Sequence, residues 1–181
     1  LPETPSITEW LGSILKEGDK VGIDGWVNSH QEASSLRNEL KQFGLTLETM
    51  TEDIFDTIWE DRPSMPQTPV FILGEERTGS SCTEKINRIR EAITANGASA
   101  IILSTLDEIA WTLNLRGNDV HCNPVFISYL LISEENYTLY ILEEKITDEV
   151  RQYLKEHQVE IKPYPALAED LRMFKENHPG V

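Results

Sequence analysis

Apolar residues recur along this chain at a three-to-four spacing in some stretches and at a spacing of two in others, and the two kinds alternate from end to end. Ser6 opens the first helical stretch: Glu9, three residues on, completes a capping box, and Trp10, Leu11, Ile14 and Leu15 supply an apolar face that Gly18 terminates. Residues 21–24 read as a short strand. Residues 29–43 read as a helix with Ala33, Leu36, Leu40 and Phe43 on one side, closed by Gly44 at the position after its C-cap. Residues 45–50 alternate as a strand does, and Thr51 opens a short helix carrying Ile54, Phe55, Ile58 and Trp59.

The pattern then breaks. Arg62-Pro-Ser-Met-Pro-Gln-Thr-Pro69 holds three prolines in eight residues, which excludes a helix or a central strand and predicts a stiff, extended linker. It divides the chain into a first segment over 1–63, a linker over 64–69 and a second module over 70–181. The module starts with a strand over 70–73 and a polar turn over 74–79. A long helix capped by Ser81 follows, with Ile86, Ile89, Ala92 and Ile93 on one side and Gly97 at its end. A strand over 98–103 leads to a helix capped by Ser104 or Thr105, where Asp107 and Glu108 sit at the positive end of the dipole. Two strands over 126–133 and 137–142 flank Glu134-Glu-Asn136 and predict a hairpin. A helix over 148–157, a strand over 159–162 and a helix over 166–176 complete the module.

Alternating strands and helices predict an α/β fold, and the hairpin makes its β-sheet mixed, with helices flanking it. The first segment has two strands, too few to bury a sheet face alone. Either it docks on the second module or it presents an edge for another copy to cover.

Charge narrows the partners. Sixteen basic residues against thirty-one acidic ones give a formal charge of −15, which repels phosphate backbones and anionic lipid, so neither nucleic acid nor a membrane is an expected partner. The acids are spread out and read as a solvated surface. Cys82 and Cys122 lack metal-ligand spacing and read as reduced thiols of a cytosolic protein; no apolar run reaches membrane-spanning length. The start at Leu1-Pro-Glu-Thr-Pro5, without initiator methionine or leader, reads as a segment of a longer polypeptide.

The densest block is Thr105-Leu-Asp-Glu-Ile-Ala-Trp-Thr-Leu-Asn-Leu-Arg-Gly-Asn-Asp-Val-His-Cys-Asn-Pro-Val-Phe-Ile-Ser-Tyr129. Together with Val21-Gly-Ile-Asp24, Asp53-Ile-Phe-Asp-Thr-Ile-Trp-Glu-Asp-Arg-Pro63 and Lys85-Ile-Asn-Arg-Ile-Arg90, in the same order over nearly the whole chain, it resembles the non-catalytic N-terminal region of the three-domain Xaa-Pro aminopeptidases of the creatinase and prolidase superfamily. The resemblance implies the end of their first domain and all of the second, with a creatinase/prolidase N-terminal-domain fold. It implies a cytoplasmic homodimeric parent that removes the residue preceding proline from peptides. Two divalent ions, commonly manganese, are held there by Asp, His and Glu of a C-terminal catalytic domain whose motifs this chain lacks. On that reading the chain has no catalytic residue, metal ligand or cofactor of its own, and its partner is that catalytic domain.

Asn114, Arg116, Asp119 and Asn123, with Gly117 and Asn118, form the densest polar cluster. As a functional surface, the turn faces the catalytic domain or a neighbouring subunit, near the substrate, with Arg116 gripping a carboxylate through two parallel hydrogen bonds. As local structure, Asn and Asp hold their own backbone, Gly117 supplies a positive φ, and Arg116 pairs with Asp119 three residues away. Gly74-Glu-Glu-Arg-Thr-Gly79 lies where phosphate loops occur, but it has no Gly-Lys-Ser/Thr ending and its glutamates repel anions. Trp10, Trp59 and Trp111 fall on apolar faces and are expected in the core or between modules, Trp26 at the surface. The rival reading is a free-standing α/β module that binds a small ligand or a protein near the polar turn.

Overall fold

The computed structural model describes residues 4–50 and 52–177, in two compact units, Leu1–Ser64 and Met65–Val181. Among the described residues no helix is long and apolar enough to cross a membrane.

In the first unit, α1 (Ile7–Ile14) starts with the capping box anticipated at Ser6 and Glu9, and α2 (His30–Lys41) with an equivalent box at Ser29 and Glu32. Between and after them, β1 (Lys20–Asp24) and β2 (Thr46–Met50) pair in parallel, Val21 opposite Leu47. Gly44, at φ +71, makes the left-handed turn from α2 into β2. The core consists of Leu40, Leu45 and Leu47, against which Leu11, Leu15, Val21, Ile23, Ala33 and Leu36 pack. Thr8 is buried because its hydroxyl donates to Glu39 (3.0 Å).

Thr51, where a short helix was expected to open, lies outside the described residues. A single 3₁₀ turn runs over Ile54–Thr57, capped by Asp53, whose carboxylate accepts from the Phe55 N–H (2.9 Å). Arg62 bridges Asp53 and Asp56. Trp10 and Trp59 are about half exposed and so are not core residues; Trp26, expected at the surface, is 67% exposed. Periodicity places a tryptophan on a stripe, but a unit with two strands offers little surface to cover it.

In the second unit, β4 (Ala100–Leu103), β6 (Tyr129–Ser133), β7 (Tyr137–Ile141) and β8 (Val159–Pro163) form one mixed sheet in that order. The first two junctions are antiparallel and the last is parallel. The β6–β7 hairpin turns at Glu134-Glu-Asn136, where Ser133 Oγ accepts from the Asn136 N–H (3.0 Å). Both central strands are buried almost throughout, as their near-continuous apolar runs require. A small antiparallel ribbon joins β3 (Phe71–Ile72) to β5 (Leu115–Arg116).

Residues 74–79, read as a turn, contain the one-turn helix α3 (Glu75–Thr78) before α4 (Cys82–Ala95). With α5 (Leu106–Leu113) and α6 (Asp148–Glu156), α4 encloses a core that includes Ile86, Ile109, Phe126, Leu130, Leu139, Val150 and Leu154. The last helix, α7 (Leu167–Asn177), sends Asp170 to accept from the Tyr140 hydroxyl and from Lys162, both at 2.7 Å.

Candidate functional site

The polar block that dominates the sequence is the exit from α5. Asp107 and Glu108 lie in the first turn of that helix, where its positive end favours them. The helix stops at Asn114, which takes a left-handed conformation (φ 54) that its short polar side chain tolerates. Asn114 is fully buried and every polar group shown for it is used. Its Oδ1 accepts from Lys85 Nζ (2.5 Å), its Nδ2 donates to the Ser80 carbonyl (2.9 Å), and its carbonyl accepts from the Leu73 N–H (2.8 Å).

Lys85 is the centre of this arrangement. Its ammonium donates also to the Trp111 carbonyl (2.8 Å) and sits 4.4 Å from the centroid of the Trp111 ring. Burial and, secondarily, the nearby Arg116 guanidinium push Lys85 below the usual lysine range, with Cys82 acting weakly the other way. Burial pushes the Cys82 thiol up to about 12, against the opposing influence of Lys85. Lys85 and Cys82 occupy the stripe that also carries Ile86, Ile89 and Ile93; a lysine among apolar positions is the one sequence signal that marked it.

Arg116 does not pair with Asp119. Its Nη1 donates to the Ala110 and Leu115 carbonyls (2.7 and 2.8 Å), capping the C-terminal end of α5 as a cation favours. Gly117 is not at positive φ either; Asn114 and Cys122 take that role. What Gly117 provides is space, since a Cβ there would lie 2.7 Å from Phe126 Cβ and 3.0 Å from the Val125 carbonyl oxygen.

Asp119 has a fully buried side chain paired with Lys145 at 2.5 Å. The same Oδ1 accepts from Thr68 (3.2 Å), while Oδ2 accepts from the Ile127 N–H (2.7 Å). Lys145 Nζ donates in addition to the Pro66 carbonyl (3.2 Å), so one buried ion pair fastens the proline-rich segment, the turn and the 3₁₀ turn Glu143–Lys145 together. Lys145, preceded in sequence by two glutamates, carried no signal of burial. Asn123 is exposed in the tight turn bridged by Val120, and its carbonyl accepts from the Val125 N–H (2.8 Å).

The fold therefore unites Asn114 and Arg116 around the end of α5, sets Asp119 in a separate lock, and leaves Asn123 at the surface. Trp111, expected in the core or between modules, is 48% exposed: Lys85 sits against its ring, and the residue also borders a groove. Among the described residues no three His, Cys, Asp or Glu side chains come together as a metal site would require.

Comparison with known proteins gives this geometry a lineage. A probable Xaa-Pro aminopeptidase P of Sordaria macrospora is 42% identical over 96% of this chain and 29% of that relative, and one of Neurospora crassa is 40% identical over 96% and 26%. The chain thus spans under a third of the length of the curated relatives it matches. The crystal structure of X-prolyl aminopeptidase from Caenorhabditis elegans, described as a cytosolic enzyme with a di-nuclear active site, superimposes with a TM-score of 0.86 at 28% identity. It covers 98% of this chain and 29% of that one. Residues 61–180 match the model of the creatinase/prolidase N-terminal domain, and the chain belongs to that family.

Proposed function

We propose that this chain is the non-catalytic region of a metal-dependent Xaa-Pro aminopeptidase, comprising the end of its first domain over 1–63, a linker over 64–69 and its second domain over 70–181. It supplies scaffold, homodimer contacts and a wall that restricts access to the active site. The observation that carries this reading is the continuous match, across both units, to enzymes more than three times as long. The di-nuclear active site of the C. elegans enzyme supports a parent with two divalent ions, manganese by the family resemblance, and its cytosolic description supports a cytoplasmic site of action. Among the described residues the carboxylates and histidines do not converge as such a centre would require, which supports the reading that a separate catalytic domain holds the ions, and no chemical step is assigned to these residues.

The buried hydrogen bonds of Asn114 and Asp119 support a rigid wall, because side chains already engaged on all sides hold a loop's shape. Arg116 spends one nitrogen on two carbonyls, which leaves its remaining N–H groups to face a carboxylate of the catalytic domain or of the peptide. The test is kcat/KM of the full-length enzyme on an Xaa-Pro peptide, corrected for folded protein. Arg116→Ala is expected to lose more activity than folded fraction, and equal losses would make Arg116 a helix cap alone. Metal-dependent cleavage of the same peptide by the purified 181-residue chain would overturn the non-catalytic assignment.

A further inference from the structure

Of the asparagines in this chain, Asn96 alone is followed by glycine. A backbone nitrogen can attack the side-chain carbonyl of an asparagine that precedes it and close a five-membered ring, and a β-carbon on the attacking residue obstructs that approach. Glycine has none. The structure places the pair at the exposed end of α4, where Asn96 is the C-cap and Gly97 follows at φ +68. The Gly97 N–H donates to the Thr94 carbonyl (3.0 Å) and the Ala98 N–H to the Ile93 carbonyl (3.1 Å), the two bonds that close a helix through a left-handed glycine. The side chain is held too, since Asn96 Nδ2 donates to the Ala92 carbonyl (2.8 Å). Nucleophile and electrophile are thus both engaged while the turn is closed, and helix ends are the parts of a fold that open most readily. Asn114 makes the contrast: it is fully buried, both ends of its amide are bound, and Leu115 follows it.

We propose that Asn96–Gly97 is a site of spontaneous deamidation gated by fraying of the last turn of α4. When that turn opens, the Gly97 nitrogen gives up its proton to solvent and attacks Asn96 Cγ. The new bond from nitrogen to Cγ forms, the bond from Cγ to Nδ2 breaks, and ammonia leaves. Water then opens the succinimide at one or the other carbonyl, giving aspartate or isoaspartate, with no oxidant or reductant required. The modified turn closes less well. Its donor to the Ala92 carbonyl is gone, and a carboxylate stands at the negative end of the helix dipole. That carboxylate joins Glu108 on the border of the groove beside Trp111. Isoaspartate in addition lengthens the backbone by one methylene between α4 and β4, which spoils the geometry of the two closing bonds.

The test is ageing of the purified 181-residue chain at mildly alkaline pH in water enriched in heavy oxygen, followed by peptide mapping that separates aspartate from isoaspartate. Label is expected at position 96 ahead of every other asparagine. The chain unfolded in urea is expected to react about tenfold faster, the factor by which the closed turn restrains the native state. Two variants separate the chemistry from the fraying. Ala95→Gly loosens the last turn and leaves the reacting atoms alone, so it should speed native-state conversion about fivefold. Gly97→Ala loosens the same turn, because its φ is positive, yet obstructs the attack, and should slow conversion by on the order of tenfold in the folded and unfolded chain alike. A purely structural role would move both variants in one direction. Equal rates in native and urea-unfolded chain overturn the gating by α4. Label that appears first at another asparagine, or a rate unchanged by Gly97→Ala, overturns the site. Asn96→Asp is expected to lower the denaturant midpoint of the second unit, and an unchanged midpoint overturns the stated consequence.

Discussion

The two units of this chain solve the same problem with different means. The first closes a two-stranded parallel sheet with three buried leucines and helices on its apolar side. The second surrounds a four-stranded sheet with apolar residues drawn from Val70 to Val159 and adds two buried lysines, each held by side-chain and carbonyl acceptors. The difference teaches where polar burial is tolerated. An ammonium is kept out of water only where enough surrounding structure fixes its acceptors, and a thin core has no room for that arrangement.

The sharpest break in the comparison comes from the ion pair. Asp119→Ala leaves Lys145 buried without its counter-charge and is expected to cost about 3–5 kcal/mol in the second unit. Urea unfolding followed by signals of that unit checks this, and an unchanged midpoint would mean that water reaches the site. Replacing both partners with apolar residues, Asp119→Leu with Lys145→Met, is expected to recover much of the loss. In the first unit, Leu40→Ala removes one of three core leucines at a cost of about 2–5 kcal/mol, a large fraction of what so small a core provides. Amide exchange should show α2 and β2 losing protection together; retained protection would show that the unit has support beyond its own core.

The buried thiol sharpens the contrast through pH. Cys82 keeps its proton in the folded chain up to about pH 12, whereas its ordinary value is 9.0. The unfolded state therefore releases that proton first as pH rises. The contribution is complete below pH 9.0 and is lost between there and about pH 12, at about 1.4 kcal/mol per pH unit. Cys82→Ala is expected to remove that alkaline slope, measured as denaturant midpoints between pH 8 and pH 11. A thiol reagent at pH 8 should label the exposed Cys122 and spare Cys82. The smallest effect is expected at Trp111. Because the ring is half exposed, Trp111→Ala should cost about 1 kcal/mol, the packing of Lys85 against its face, well below the cost for a buried tryptophan. A loss as large as that of Asp119→Ala would show that the groove is closed in solution.

Much of the fold was legible before any coordinates. The capping box at Ser6, the cap at Ser81, the glycines after α2 and α4, and the hairpin at residues 134–136 are local features whose chemistry acts within a few residues. The α/β class and the mixed sheet follow from their order along the chain. The candidate turn was legible as a place and not as a mechanism. Arg116 and Asp119 lie three residues apart, yet each found a better partner, the end of α5 for one and Lys145 for the other. Helical spacing likewise put Trp111 on an apolar stripe without saying whether anything lay against it.

What the sequence determined by itself is the succession of helices and strands, their ends and their apolar faces, because propensity, capping and turn chemistry are short-ranged. Only the tertiary structure decided which charges are buried. Lys85 meets Asn114 across twenty-nine positions and Lys145 meets Asp119 across twenty-six. A lysine's place in or out of water depends on acceptors supplied by distant parts of the chain, and those are brought together only when the sheet and its helices close.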